Sequence, residues 1–557
     1  MRHPLALLIL VAGISFLPLS AQALWQVDGV ALSTAVNSQD NPKIVSDGAG
    51  GAIVTWTDLR NDTYDIYAQR VSATGAPLWT PDGVALCIAE GVQQSPTIIS
   101  DGAGGAIVTW FDARSGPNHI YAQRVNASGI PQWATDGVAL CTAANGQFYP
   151  TIVSDGAGGA IVTWEDYRIG APNIYAQRVS DSGSTQWTAD GVGLCTAANY
   201  QITPTIVSDD AGGAIVTWQD YRSSISYDIY AQWVNALGVP QWTVNGVTLC
   251  NAANEQGYPT IVSDGAAGAI VTWEDARTNR DIYAQRVDAS GTTQWTVNGV
   301  ALCVAADVQQ SPTIVSDDAG GAIVTWHDAR NSLYPDIYAQ RVNALGAPQW
   351  LGDGVALCTV ENSQLYPTIV SDGAGGAIVT WHDGRSGTLD IYAQHVNASG
   401  GPQWLGDGVA LCTAVSNQFK PTIASDGAAG AIVTWHDARN SLYPDIYAQH
   451  VNASGEVPTG VSGPTRGPSL IVSDVYPSPF TGTASMDIEL TSPSAVRIEV
   501  FDVAGRRVRT MTLSDAVSHR VEFNGRDDAN RLLTSGVYFC RVKASGETIT
   551  RKMVIAR

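Results

Sequence analysis

Short apolar runs separated by clusters of Gly, Asp, Asn and Ser recur along most of the chain. Residues 150–155 (PTIVSD) predict one strand, residues 156–159 (GAGG) a turn, and residues 160–164 (AIVTW) the returning strand of a hairpin. Residues 174–179 predict a third strand and residues 187–195 a fourth. The second strand is apolar at nearly every position, which indicates a strand packed on both faces. This unit is therefore predicted to be a four-stranded sheet.

The unit repeats, and the pattern Trp-x-Asp-x-Arg marks each copy. The pattern starts at Trp56, Trp110, Trp164, Trp218, Trp273, Trp326, Trp381 and Trp435. Successive copies are 53 to 55 residues apart, and a period of this length with four strands is typical of β-propeller blades. The stretch WHDARNSLYPDIYAQ occurs at 326–340 and again at 435–449, which indicates recent duplication. We predict an all-β protein with an eight-bladed β-propeller over residues 24–453.

The two ends of the repeat region are complementary. Residues 25–33 (WQVDGVALS) have the pattern of a fourth strand, although no first strand precedes them. The eighth unit stops after its third strand, at residues 446–451. An N-terminal strand that joins the last blade would close the ring and remove both exposed sheet edges. An open β-solenoid, the alternative, would gain nothing from this complementarity.

The first 23 residues have the pattern of a secretory signal peptide. Arg2 precedes an apolar run, and Ala21-Gln22-Ala23 forms a small-residue cleavage site. Pro18 interrupts the run, which is short for a bilayer span. We predict that residues 1–23 are removed, that the mature chain starts near Leu24, and that the protein is not an integral membrane protein.

Charge narrows the range of partners. The net charge is −21 and the sequence pI is about 4.6, which disfavours a nucleic acid as partner because phosphates would be repelled. Acidity keeps an exported repeat protein soluble, and a surface that binds Ca²⁺ is a second interpretation. The Asp-x-Asp-x-Asp-Gly loop of integrin-type propellers is absent. We predict no cofactor.

Seven of the eight cysteines recur at the repeat spacing. They are Cys87, Cys141, Cys195, Cys250, Cys303, Cys358 and Cys412. Equivalent positions of successive units are too far apart for a disulfide, which needs Cα atoms within about 7 Å. We interpret these residues as small buried hydrophobes, and Cys540 as an unrelated thiol.

Polar residues found in every unit predict structural roles, because one active site needs each chemical group only once. Asp58 and Arg60, with their counterparts, predict an ion pair or hydrogen-bond clasp between blades. A glutamine is also repeated in every unit, and these glutamines are predicted to hydrogen-bond to backbone groups between blades. They are Gln39, Gln93, Gln147, Gln201, Gln256, Gln309, Gln364 and Gln418.

Histidines and glutamates break the repeat symmetry. Five histidines fall in the last three units: His327, His382, His395, His436 and His450. Three at equivalent positions would reach a shared metal if they faced the central channel, but copying of units explains them without a ligand, and we predict no metal site. Glu165 and Glu274 lie in the non-adjacent units three and five, so no catalytic pair is evident.

Variable loops predict the binding face. The loop between the second and third strands and the loop between blades emerge on one face of a propeller, and here both vary. Aromatic residues in these segments are suited to contact sugars or peptides. The predicted ligand-binding residues are Phe148, Tyr149, Tyr200, Tyr227, Tyr258, Tyr334, Tyr366, Phe419 and Tyr443. In the alternative interpretation these loops have drifted without selection, and a Tyr before Pro merely packs at a strand start.

The last residues differ in pattern from the repeats. Residues 454–470 have the composition of a linker, and about seven short strands in residues 471–557 predict a small β-sandwich. The motifs YPSPF at 476–480, SGVYF at 535–539 and RKMV at 551–554 resemble the C-terminal sorting domain of the type IX secretion system. That family is related to the Ig-like domain of flagellar hook-capping proteins.

The resemblance implies export to the cell surface or medium and the type IX machinery as a partner. Ser478 stands where the family commonly has Asn, and Asn530 where it commonly has Gly. Asn tolerates the left-handed conformation that such a turn uses.

Two functions are consistent with the sequence. We favour a non-catalytic binding or adhesion propeller whose variable face contacts a polysaccharide or a surface protein. The alternative is a sialidase-like or lyase-like glycan enzyme. Residues 46–56 resemble the Asp-box turn of sialidase-like propellers, although Asp47 directly follows Ser46 and Trp56 comes later. This resemblance implies a bladed sheet only.

Overall fold

The computed structural model describes residues 25–331, 334–440, 443–458, 470–472, 475, 478–503, 505–544 and 547–556. The predicted signal peptide and most of the predicted linker lie outside these residues. All regular elements in the described ranges are strands, as predicted. Among the same residues, none forms a helix long and apolar enough to cross a membrane.

The described part of the repeat region contains 32 strands. In chain order they begin with β1 (Val30–Ser33), β2 (Gln39–Ser46), β3 (Ala52–Asp58), β4 (Asp65–Val71), β5 (Val84–Cys87), β6 (Gln93–Ser100), β7 (Ala106–Asp112), β8 (His119–Val125), β9 (Val138–Cys141), β10 (Gln147–Ser154), β11 (Ala160–Asp166), β12 (Asn173–Val179), β13 (Val192–Cys195), β14 (Gln201–Ser208), β15 (Ala214–Asp220) and β16 (Asp228–Val234). They continue with β17 (Val247–Cys250), β18 (Gln256–Ser263), β19 (Ala269–Asp275), β20 (Asp281–Val287), β21 (Val300–Cys303), β22 (Gln309–Ser316), β23 (Ala322–Asp328), β24 (Asp336–Val342), β25 (Val355–Cys358), β26 (Gln364–Ser371), β27 (Ala377–Asp383), β28 (Asp390–Val396), β29 (Val409–Cys412), β30 (Gln418–Ser425), β31 (Ala431–Asp437) and β32 (Asp445–Val451).

These strands form repeated four-stranded antiparallel sheets, the blades of a β-propeller. Each repeat contributes its strands in chain order, as in β2-β3-β4-β5, and we call them the first to fourth strands. The sheet β30-β31-β32 takes β1 as its fourth strand. The first strands of neighbouring repeats contact one another, and β2 contacts β30 in the same way.

The second strand forms the core of each repeat. All seven residues of β3 are buried, and the same holds for the second strand of every other repeat. The Trp of the repeat pattern packs between adjoining sheets. Gly83 has φ +86°, and a Cβ there would lie 2.6 Å from the ring of Trp56. A larger residue is therefore excluded beside this Trp.

The Trp-x-Asp-x-Arg pattern forms a clasp within each repeat. Trp56 Nε1 donates to Asp58 Oδ2 at 2.7 Å, and Arg60 Nη2 lies 2.6 Å from the same oxygen. The Arg60 guanidinium stacks on the ring of Tyr67 at 3.9 Å and donates to Asp82 O. All eight repeats have this ion pair. The ion pair lies within one repeat rather than between blades, whereas the predicted hydrogen-bond clasp between repeats is confirmed, because the same Asp and Arg also bond to the preceding repeat.

The cysteines provide the contact between neighbouring repeats at the clasp. Arg114 Nη2 donates to Cys87 Sγ of the preceding repeat at 3.1 Å. All eight cysteines are buried and free, which confirms their interpretation as small buried residues. Burial raises the pKa of Cys87 to about 12, so the thiol stays protonated. The glutamines, such as Gln39, donate to carbonyls of the loop that joins one sheet to the next.

The N-terminal segment makes the contacts that a fourth strand makes elsewhere. Trp25 Nε1 donates to Ala73 O at 2.9 Å, as Trp79 Nε1 donates to Ala127 O at 3.1 Å. Arg439 of repeat eight donates to Asp28 O at 2.6 Å. Arg60 of repeat one donates to the Ser33 hydroxyl, which occupies the place of the repeat cysteine. This segment therefore contacts the first and the last repeats.

The C-terminal unit, residues 462–557, is a separate compact body. Its strands are β33 (Leu470–Val472), β34 (Ala484–Asp502), β35 (Arg507–Phe523), β36 (Gly536–Ala544) and β37 (Glu547–Ile555). They form one sheet in which β34 pairs with β33, β35 and β36. Asn530 has φ +61°, the left-handed conformation expected there. The Ig-like assignment stays a prediction.

Candidate ligand-binding cavity

A bulge in every first strand places one variable residue before a proline. The ladder shifts register at this point, for example between Phe148 and Thr151. The residue before the proline has φ between +51° and +54° in all repeats. These residues are Asn41, Ser95, Tyr149, Thr203, Tyr258, Ser311, Tyr366 and Lys420. A non-glycine residue in this region costs about 1–3 kcal/mol, and such strain is often found at functional sites.

The eight bulge residues line one cavity of about 1370 Å³. The first strands of all repeats contribute to it, and we call it the first-strand cavity. Three of its bulge residues are large, exposed aromatics: Tyr149, Tyr258 and Tyr366 are 57%, 58% and 54% exposed. Rings held by a fixed backbone bulge offer flat contact surface at a small entropic cost.

The residue between Trp and Asp of the clasp pattern reaches the same cavity in four repeats. Glu274, His327, His382 and His436 line it and are themselves buried. Burial lowers the pKa of His327 and His382 to about 4 and that of His436 to about 3. These three imidazoles are therefore neutral at neutral pH.

Two of these side chains, Glu274 and His436, hold the bulge of the next repeat. Ser311 N donates to Glu274 Oε1 at 2.8 Å, and Arg280 Nη1 lies 2.9 Å from Glu274 Oε2. Asn41 N donates to His436 Nε2 at 2.6 Å, so the His436 proton sits on Nδ1. Glu165, which is outside the cavity lining, accepts from a backbone N–H of repeat four. The two glutamates thus share a structural task in separate repeats.

The predicted histidine trio faces the cavity without forming a metal centre. Within the described ranges, no three His, Cys, Asp or Glu side chains are placed to hold a metal ion. His395 and His450 are elsewhere and pair with Asp372 and Asp426 at 2.8 and 2.7 Å.

The predicted aromatic residues divide into groups. Tyr149, Tyr258, Tyr366 and Phe419 line the first-strand cavity. Phe148 lines a neighbouring cavity of about 650 Å³ together with Tyr149 and Tyr167, and its ring lies 5.4 Å from that of Tyr167. The remaining four are not among the residues that line the first-strand cavity. Tyr227 lines a cavity of about 200 Å³ that shares Tyr258 and Glu274 with it, Tyr334 lines one of about 680 Å³, and Tyr200 and Tyr443 line none of these.

Two lysines of the cavity were missed by the sequence analysis. Lys420 is a bulge residue of repeat eight, and Lys43 follows the bulge proline of repeat one. The signal was present in the sequence: the residue before the repeated proline varies, while the proline itself is constant.

Comparison with known families identifies the C-terminal unit. Residues 474–556 match the family model of the secretion system C-terminal sorting domain, which confirms the resemblance. Such a domain indicates export and a location at the cell surface or in the medium. The fold and this domain together define an exported β-propeller protein. No curated protein matches the chain.

Solved structures similar to the chain include several that act on glycans. A polysaccharide lyase, the PL25 ulvan lyase bound to -[GlcA(1-4)Rha3S]-, is 12% identical with a TM-score of 0.42 and covers 77% of this chain and 96% of that one. The endo-arabinase of Bacteroides thetaiotaomicron is 14% identical with a TM-score of 0.28, covering 56% and 94%. The α-L-arabinanase of Penicillium chrysogenum is 16% identical with a TM-score of 0.31, covering 56% and 94%.

Proposed function

We propose that residues 24–453 form a closed eight-bladed propeller that binds an extended polysaccharide in its first-strand cavity without catalysis. In this proposal residues 1–23 are a signal peptide, residues 454–470 a linker, and residues 471–557 an Ig-like sorting domain. The observation that carries the binding function is the set of exposed tyrosines held by strained bulges around one cavity.

Closure of the ring is supported by the N-terminal segment. β1 pairs with β32, and Trp25, Asp28 and Ser33 take the roles of fourth-strand residues. A closed ring has no free sheet edge, which suits an exported protein that meets other exported chains. It also fixes the distances between first strands and so keeps the cavity open.

Polysaccharide binding is supported by the kind of groups around the cavity. Tyr149, Tyr258 and Tyr366 alternate with small polar bulge residues such as Ser95 and Ser311. Sugar rings present apolar faces to aromatic rings and hydroxyls to polar groups, so this alternation suits a chain of sugars.

A second candidate is a glycan enzyme. Tyr366 lies between two neutral histidines, with ring centroids 5.8 Å from His327 and 5.3 Å from His382. The Nδ1 atoms of both histidines are buried and have no hydrogen-bond partner among the residues that the structure describes. A neutral imidazole beside a phenol can accept a proton, which is one requirement of general acid–base catalysis.

Binding to a glycan array by the full chain tests the proposal. The variant with Tyr149→Ser, Tyr258→Ser and Tyr366→Ser carries the residue found at this position in repeats two and six, so we expect it to fold. At about 1 kcal/mol per ring, binding weakens roughly 100-fold. Tyr200→Ser, which lies outside the cavity, is the control. Binding that survives the triple change would contradict the proposal, and release of new reducing or unsaturated ends would favour the enzyme.

A further inference from the structure

Both lysines of the repeat region lie in the first-strand cavity. The chain has four lysines, of which Lys543 and Lys552 belong to the sorting domain. The other two, Lys43 and Lys420, belong to repeats one and eight and line the same cavity. The repeat region therefore has no lysine outside this cavity.

These two lysines differ from all other cations of the repeat region. In the described part of residues 25–458, every arginine forms an ion pair with Asp or Glu. Lys43 and Lys420 form none there. The charged residues that line the cavity are three cations, Lys43, Arg280 and Lys420, against the single carboxylate of Glu274. The residues that line this cavity therefore have a positive net charge, although the whole chain has a net charge of −21.

The cations of the cavity also repel one another. The side chain of Lys43 meets solvent inside the cavity but is surrounded by protein, and this burial together with Lys420 lowers its pKa. Both lysines also contribute to the lowered pKa of His436. Asp40 is the acidic neighbour: burial raises its pKa, Lys420 lowers it, and its Oδ1 lies 3.7 Å from His436 Nδ1. A bound anion would reduce this repulsion.

We infer that the first-strand cavity takes an acidic polysaccharide, whose carboxylate or sulfate groups are held by Lys43 and Lys420. This inference rests on the proposed function and names its ligand class. Phe419 lies directly before Lys420, and its ring centroid is 4.9 Å from that of His436. An aromatic face beside an ammonium matches a charged sugar, which has an apolar ring face and an anionic substituent.

The repeats themselves supply replacements that keep the fold. The position of Lys43 is threonine in the other seven repeats: Thr97, Thr151, Thr205, Thr260, Thr313, Thr368 and Thr422. The position of Lys420 is serine in repeats two and six, and Ser95 has φ +53° where Lys420 has +52°. Lys43→Thr and Lys420→Ser therefore each remove one charge and introduce a residue that other repeats already carry at the same position.

Titration calorimetry of the full chain tests the inference with polygalacturonate, dextran sulfate and unmodified dextran. We expect both acidic polymers to bind more tightly than dextran, and less tightly as salt is added. Each lysine substitution should weaken acidic-polymer binding about tenfold, the loss of one charged hydrogen bond. Lys552→Thr, outside the cavity, is the matched control and should change nothing.

Other outcomes separate this inference from the proposed function. Equal binding of dextran and dextran sulfate, unchanged in both lysine variants, would overturn the acidic ligand and leave polysaccharide binding standing. No binding of any polymer in calorimetry, and none on the glycan array, would remove both. Poly-L-glutamate is the last probe: if it bound through the same lysines while the acidic polysaccharides did not, the ligand would be an acidic protein and the inference would be wrong.

Discussion

The Asp–Arg clasp and the lining of the first-strand cavity lie within the same repeats, yet the clasp is constant and the lining varies. Asp58 and Arg60 have counterparts in every repeat, with the same ion pair at 2.6 to 2.7 Å. The bulge residue, by contrast, is Asn, Ser, Tyr, Thr or Lys. Even Thr57, between the clasp Trp and Asp, becomes Phe, Glu, Gln or His in other repeats.

In the proposed function, this difference assigns stability to the constant positions and ligand recognition to the variable ones. The constant residues satisfy buried groups that every repeat possesses, so each change there leaves a polar group unpaired. The variable residues lie on a shared surface where no internal partner depends on most of them. In the proposed function, similar repeats thus present different side chains to one ligand. Changes in the two regions should differ in their effect on the free energy of unfolding.

The largest loss is expected on deleting residues 24–33. The deletion removes the fourth strand of repeat eight with Trp25, Val30 and Leu32, all buried. Three such side chains contribute about 5 kcal/mol or more, and the edge of β32 becomes exposed. Thermal unfolding measures the effect. Ser33→Cys, which installs the residue of the other fourth strands, should be tolerated, and unchanged melting of the deletion variant would contradict closure.

A single clasp substitution should have the next largest effect. Asp166→Ala leaves the Arg168 guanidinium and Trp164 Nε1 without their shared acceptor, whose side chain is 0% exposed. Breaking a buried pair in this way costs about 3–5 kcal/mol. Chemical denaturation of Asp166→Ala and of the exposed control Asp181→Ala measures it, and the control should change by at most about 0.5 kcal/mol. Similar losses in both would mean that the clasp is not a source of stability.

The buried histidines of the first-strand cavity should make the folded protein less stable in acid. The pKa of His382 is about 4 in the folded chain and about 6.5 when unfolded, so the unfolded chain binds the proton first. Its contribution is fully present above pH 6.5 and declines as the pH falls towards 4, by on the order of 3 kcal/mol. His382→Gln, with the residue that repeat four carries as Gln219, should flatten this part of the stability–pH curve. Parallel curves for parent and variant would contradict the shift.

The smallest effect is expected for the ion pair between Arg341 and Asp317 and its counterpart in repeat seven. Arg341 pairs with Asp317 and also donates to Ala398 O of the next repeat at 3.1 Å. In repeat seven, His395 takes the place of this arginine. Among the described residues, its ring hydrogen-bonds to Asp372 alone. His395→Arg should restore the link and stabilise by about 1 kcal/mol, measured by thermal unfolding. His395→Ala is the control and should destabilise; a destabilised arginine variant would show that the site has no room for the link.

The sequence by itself determined the local architecture. Strand pattern, turn residues and the eight copies are set by neighbours in the chain, so β10 and β11 were predicted within a few residues of their observed ends. The burial of Cys87 and the structural role of Asp58 followed from their repetition alone. The motifs of the sorting domain could also be recognised from the sequence, because the residues of each motif are adjacent in the chain.

Only the tertiary structure decided which variable residues meet. Lys43 and Lys420 are separated by almost the whole repeat region, yet they line one cavity because β2 contacts β30. The bulge before each proline, which brings Tyr366 to the cavity, is a backbone conformation that a strand pattern of period two does not predict. Tyr200 and Tyr443 have the residue type of a binding site but do not line this cavity. Periodicity encodes the faces of a strand, whereas distances across the propeller depend on how all the sheets pack together.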